Sequence, residues 1–152
     1  MAKTKTRIVL PYNLTCNLKD ICPSAEFLGI NHLHDYALCY RDGTLTAETK
    51  KGHIVDTPVY MIDADEEKQL DKSFYSKSIK KADLTITVSI DGRIVKRKAL
   101  MYTVDTDKPM NLPTPEYLRL CAEAMVKMGA EFTPVFNAYI ETRQAIMNKA
   151  DV

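Results

Sequence analysis

The dipeptide Asp91-Gly92 constrains this chain more than any other pair of residues. It separates two runs rich in strand-forming residues, 85–90 and 93–104. Aspartate and glycine both tolerate the positive φ angles of a type I′ turn, so the runs are predicted to fold back on each other as an antiparallel hairpin. Further strands are expected at 7–10, 27–30, 36–40, 59–62 and 84–88, with Asp42-Gly43 as a turn after the third of them. Pro11 ends the first strand because it lacks the amide proton that a central ladder needs. A short helical piece is expected to lead into Cys22-Pro23.

Helix signals take over later in the chain. Asp63 and Glu66 have capping-box spacing at the head of an acidic turn over 63–71, with aspartate in place of the usual hydroxyl residue. Thr114-Pro115 and Thr133-Pro134 each set a capping residue before a proline at the first helical position. Between them Leu118, Cys121, Ala122, Met125 and Met128 recur at helical spacing, and Gly129 is the expected stop. The methionines therefore read as packing residues. Val135, Phe136, Tyr139, Ile140, Ile146 and Met147 are predicted to form one last amphipathic stripe, on a helix over about 134–149. Strands early and helices late predict a mixed α+β fold.

The 152 residues fit a single domain, 1–152. With 21 basic and 20 acidic side chains the net charge is +1, which supplies no general attraction to nucleic acid or anionic lipid, and nucleic acid is not an expected partner. The apolar run after the basic start stops at Pro11. That is too short for a signal-sequence core or a membrane span, so a cytoplasmic protein with no membrane association is expected. Cys16, Cys22, Cys39 and Cys121 form no CxxC pair and are expected to be buried or inert thiols. Cys22 with His32 and His34 lacks zinc-knuckle spacing, so no metal and no cofactor is expected.

Several ordered motifs then narrow the fold. Cys22-Pro23-Ser24-Ala25-Glu26-Phe27-Leu28-Gly29 precedes a strand ending in Tyr40. Ile62-Asp63 is followed by Leu70-Asp71, then come Leu100-Met101-Tyr102-Thr103-Val104 and Pro113-Thr114-Pro115-Glu116-Tyr117-Leu118. In this order they resemble the gamma-glutamylcyclotransferase-like, or AIG2-like, family over about residues 8–128. The resemblance implies that family's small mixed β-barrel flanked by helices. It also implies an activity: cyclising γ-glutamyl amines or amino acids to 5-oxoproline by attack of the substrate's own α-amino group on its γ-carbonyl. Closing a five-membered ring within one held molecule is kinetically favoured. The protein would add a glutamate as proton carrier, and a Tyr-Gly-Ser-Asn-Leu loop whose main-chain amides bind the oxyanion or carboxylate.

This chain departs from both devices. The glutamate position falls on Phe74 and the following glycine on Tyr75. In the loop, Tyr12, Asn13, Leu14 and Thr15 are the nearest counterparts, with Asn13 and Leu14 where glycine and serine belong, and the register of 11–22 is left open. Side chains at those positions hinder close backbone approach to a ligand. Two carboxylates are candidate substitutes for the missing acid/base, Asp71 and Glu48. Each also has a plain reading: Asp71 as the solvated end of the acidic turn, Glu48 as a solvated strand residue. Tyr102 matches a family tyrosine close to the site and is a candidate lining residue. Tyr75 and Phe74 sit in a basic loop, 72–81, with Lys72, Lys77, Lys80 and Lys81, near Arg93, Lys96, Arg97 and Lys98. The leading expectation is a small-ligand or protein-binding module, for a γ-glutamyl or other anionic ligand, whose cyclotransferase chemistry is lost or strongly altered. The alternatives are an active cyclotransferase using a displaced carboxylate, and a protein-interaction subunit using the 72–81 loop. The sequence fixes neither the partner nor the oligomeric state.

Overall fold

The computed structural model describes residues 7–10, 18–74, 79–127, 129 and 131–150. Its elements in chain order are β1 (Arg7–Leu10), α1 (Leu18–Ile21), β2 (Glu26–Arg41), β3 (Thr44–Ile62), α2 (Ala64–Phe74), β4 (Ile79–Ile90), β5 (Arg93–Val104), α3 (Pro115–Lys127) and α4 (Thr133–Ala150). β4 and β5 are the expected hairpin, with Ile90 opposite Arg93 and φ of 52° at Asp91 and 78° at Gly92. Asp42-Gly43 turns β2 into β3 with the same signs of φ. The two strands expected at 27–30 and 36–40 are parts of one long β2. At Asp35, φ is 63° and the register with β3 shifts between His34 and Tyr36, while the Asp35 carboxylate accepts the Gly52 amide proton at 2.9 Å. That bulge separates the two apolar runs in sequence without ending the strand.

The sheet order is β2-β3-β1-β5-β4, with β1 parallel to β5 and every other neighbouring pair antiparallel. The mixed α+β architecture is as expected, but the sheet does not close into a barrel. Its edge strands β2 and β4 approach without a ladder between them among the described residues, and the Asn31 side-chain amide donates to the Thr87 carbonyl across the gap at 2.8 Å.

Alternation along the strands builds a core on each face. Ile8, Leu10, Val59, Met61, Ala99 and Met101 face α3 and α4, where Cys121, Ala122, Met125, Val135 and Ala138 complete the larger core. Val9, Tyr60, Ile62 and Tyr102 point the other way, to Leu18 of α1, Leu70 of α2, and Cys22 and Ala25. The Thr114 cap forms as its spacing predicts, its hydroxyl accepting the Tyr117 amide proton at 3.2 Å. α4 is pinned to β2 by Tyr40, whose hydroxyl donates to the Val135 carbonyl at 3.0 Å and whose amide donates to Thr142 Oγ1 at 3.2 Å.

The single stripe predicted for the last helix is corrected by burial. Val135, Ala138 and Thr142 face the sheet, whereas Phe136, Ile140 and Met147 face solvent. Small residues, not the large ones, seat this helix, because Tyr40 and Thr142 bring it close to β2. Met128 lies outside the described residues; Gly129 has the positive φ expected of a helix stop, 83°. Among the described residues no helix is long and apolar enough to cross a membrane.

Candidate functional site

α2 forms because its first turn satisfies itself. The Glu66 amide donates to Asp63 Oδ1 at 2.8 Å, and the Asp63 amide donates to Glu66 Oε1 at 3.0 Å, a reciprocal capping box. The second Glu66 oxygen accepts from Ser24 Oγ at 2.9 Å, so the helix start is also tied to the Cys-Pro-Ser-Ala segment. Leu70 then anchors α2 in the smaller core with no exposed surface. This fixes which side of α2 faces the sheet.

Glu67 and Asp71 lie four residues apart on that helix. Like charges at this spacing repel by about 0.2–0.5 kcal/mol in an isolated helix. Here the repulsion is offset by cations on two strands and a phenolic donor on a third. Lys81 of β4 contacts Glu67 Oε2 at 2.5 Å and Asp71 Oδ2 at 3.2 Å, and Arg7 of β1 contacts Glu67 Oε1 at 2.5 Å. Tyr102 of β5, directly opposite Lys81 in the ladder, donates its hydroxyl proton to Asp71 Oδ1 at 2.5 Å. Asp71 is therefore half-buried, with a side chain 34% exposed, and the expectation of a solvated helix end gives way to a bonded carboxylate.

The electrostatics follow from this packing. Burial, then the hydrogen bond to Asp71, pushes the Tyr102 phenol far above its ordinary range, so it remains a proton donor at any physiological pH. Burial pulls the Lys81 ammonium down, but its bonds to Glu67 and Asp71 outweigh that and raise it above its ordinary value. The cluster can hold a fixed array of charges. It offers one phenolic donor and two carboxylates already engaged by cations.

Phe74 is the last residue of α2. It stands three residues past Asp71, on the same side of the helix and about 4.5 Å further along its axis. The position at which the motif carries glutamate is thus next to the Asp71–Tyr102 bond. The Phe74 side chain, Tyr12, Asn13, Leu14, Thr15 and Tyr75 lie outside the described residues, as does Lys77.

Glu48, the other candidate carboxylate, is held by Arg41 through Nε at 2.8 Å and Nη2 at 3.1 Å, and Arg41 also donates to the Lys108 carbonyl at 2.7 Å. The Arg41 bond keeps the Glu48 carboxyl below its ordinary range despite partial burial. Beside it, burial and the Glu48 charge push the Cys39 thiol up to about 12. In the basic loop Lys81 turns inward and Lys80 pairs with Asp105 at 3.2 Å, so these two do not add to a free cationic surface. His32 pairs with Asp56 at 2.5 Å on the exposed side of β2, and Cys22 is buried at the foot of α2. Among the described residues no three His, Cys, Asp or Glu side chains converge as a metal site would require.

The roles of Arg7, Glu67 and Lys81 are absent from the sequence reading. Glu67 and Asp71, two acids on one helical face with no base four residues away on α2, were the available signal.

The sheet order and the helix placement define the gamma-glutamyl cyclotransferase-like fold. A solved gamma-glutamyl cyclotransferase superposes with a TM-score of 0.70 at 15% identity, over 87% of this chain and 85% of that one. An uncharacterized protein from Homo sapiens gives 0.70 at 16%, over 89% and 87%. An AIG2-like protein from Mus musculus gives 0.53 at 20%, over 76% and 84%. No protein-family profile matches the chain, and no curated protein matches it by sequence.

Proposed function

We propose that this chain is a binding module on the gamma-glutamyl cyclotransferase-like fold, in which 5-oxoproline-forming chemistry is lost or strongly altered. One observation carries the reading: α2 ends at position 74, one turn beyond the Asp71–Tyr102 hydrogen bond, and the residue there is phenylalanine, which has no proton to transfer. Removing a positioned acid/base lowers a rate by about 10²- to 10⁴-fold. The ligand this site suits is small and anionic, a γ-glutamyl compound or a similar carboxylate, or a protein segment that presents one. Cys22, Cys39 and Cys121 are buried, and a reducing, cytoplasmic setting is part of the proposal.

A second reading has one specific observation in its favour. Asp71 is half-buried beside Tyr102, where a displaced acid/base would have to be. Against it, both carboxylate oxygens already have donors. Glu48 is a poorer substitute, because Arg41 favours its charged form.

The test is 5-oxoproline release from a panel of γ-glutamyl dipeptides and amines by the natural chain, Phe74→Glu and Asp71→Asn. The binding-module reading expects silence from the natural chain and gain of turnover in Phe74→Glu. Turnover by the natural chain that disappears in Asp71→Asn would establish the second reading instead.

A further inference from the structure

β4 is an edge strand, with no strand paired along its outer side among the described residues. The Thr87 carbonyl points across the gap to β2, where the Asn31 side-chain amide donates to it. In an antiparallel ladder a residue directs its amide and its carbonyl to the same side, so the Thr87 amide faces that gap too. Thr85, two residues away, presents its own pair in the same direction. Between the strands lies a groove of about 490 Å³, bordered by residues 31–34 and 36 of β2 and 84–87 of β4. It is separate from the Asp71–Tyr102 cluster, since Thr85 stands four residues, roughly 13 Å, along β4 from Lys81.

The two faces that border the groove differ in chemistry. On one, Thr85 and Thr87 stand opposite Lys98 and Lys96 of β5, and residues opposite each other project from the same face of a sheet. Both lysines are exposed and have no ion-pair partner among the described residues. Asp83 is the only acid on β4 or β5. On the other face Leu33 and Ile86 are buried, and Tyr36 and Leu84 are half-buried against the larger core.

We propose that this edge takes up an extended acidic peptide as an added strand, which pairs its main chain with Thr85 and Thr87 and alternates apolar with acidic side chains. Two independent features select that occupant. Free amides and carbonyls together are matched by a peptide backbone, whereas the phosphate groups of a nucleic acid or lipid only accept. Charge then chooses among peptides. An added strand lies two ladder spacings, about 9.6 Å, from β5, and a lysine side chain, roughly 6 Å long, reaches over the short threonines to a carboxylate there. The same lysines oppose pairing with the β4 edge of a second copy, which would bring like charges together. Apolar side chains on the other face of the peptide cover the exposed parts of Tyr36 and Leu84. Asn31 competes for the Thr87 carbonyl, so its side chain must swing aside before the peptide pairs along its full length.

The probe is a fluorescein-labelled octapeptide of alternating valine and glutamate, titrated with the full chain up to about 1 mM and read by anisotropy, a range that covers weak strand addition. The natural chain should bind it. A peptide with the same side chains, N-methylated at each residue whose amide would pair with β4, should lose at least about tenfold in affinity. Lysine in place of glutamate in the peptide should abolish binding. Lys96→Glu/Lys98→Glu should weaken binding at least about tenfold, while Lys127→Glu/Lys149→Glu, the same change of charge on α3 and α4, should not. Asn31→Ala should bind about two- to fivefold tighter, because the competing amide is gone. A natural chain that does not bind, or that binds the N-methylated peptide equally well, overturns the proposal without any variant having to fold. Thr85 and Thr87 amides whose exchange in the free chain slows as its concentration rises would assign the edge to a second copy. Displacement of the peptide by an oligothymidylate of equal charge would assign it to nucleic acid, and either result overturns the proposal.

Discussion

Cys39 shows how one side chain makes stability depend on pH. Its thiol is buried beside the Glu48 carboxylate and titrates at about 12 when folded, against an ordinary 9.0. Above pH 9 the unfolded chain releases this proton while the folded chain keeps it, so the unfolded state binds fewer protons. The contribution is complete below pH 9 and declines as pH rises toward 12. Tyr102 and Lys81, both raised, act in the same direction above their ordinary values of 10.0 and 10.5. Cys39→Ala should therefore lose less stability than the natural chain between about pH 8 and about pH 10, read as the change in urea midpoint between those two conditions. At this scale the sequence was informative about identity and weak about partners. Phe74 and Tyr102 could be placed on their positions by order alone, but the bonds of Asp71 depend on Lys81 and Tyr102, residues 10 and 31 positions away.

α2 depends on its first turn. Asp63→Ala removes the acceptor for the Glu66 amide and frees Glu66 from half of its reciprocal pair, which should cost about 1 kcal/mol. Urea unfolding monitored by circular dichroism would measure the loss. A variant as stable as the natural chain would show that Ser24 and the core contact of Leu70 hold the helix without its cap. The capping box, the Thr114 cap and the β4–β5 turn were all legible in the sequence because each involves residues within a few positions of one another. β2 was split in two by the reading because Asp35 interrupts its pattern, although pairing with β3 continues on both sides of the bulge. α4 was given one face where it has two. Its buried face is made of small residues, and hydrophobicity alone points to the larger ones.

The whole molecule is an open sheet curled nearly shut, and that closure was beyond sequence reasoning. Whether edge strands join depends on twist accumulated over five strands, not on any local signal. Asn31 spans the remaining gap to Thr87. Asn31→Ala should leave global stability within about 1 kcal/mol, since one exposed hydrogen bond is lost. It should nevertheless accelerate amide exchange along the free edge of β4, measured by hydrogen–deuterium exchange mass spectrometry; unchanged protection there would show that the edges are held by packing alone.

The two cores share no residue, although β1, β3 and β5 contribute alternate side chains to each. The sheet thus serves as a partition between two rooms. Substitutions among α1, α2 and the side chains they cover should add independently to those beneath α3 and α4. A lineage built on this plan can strip or refit the chemistry on one side of the wall while the other side keeps the building standing.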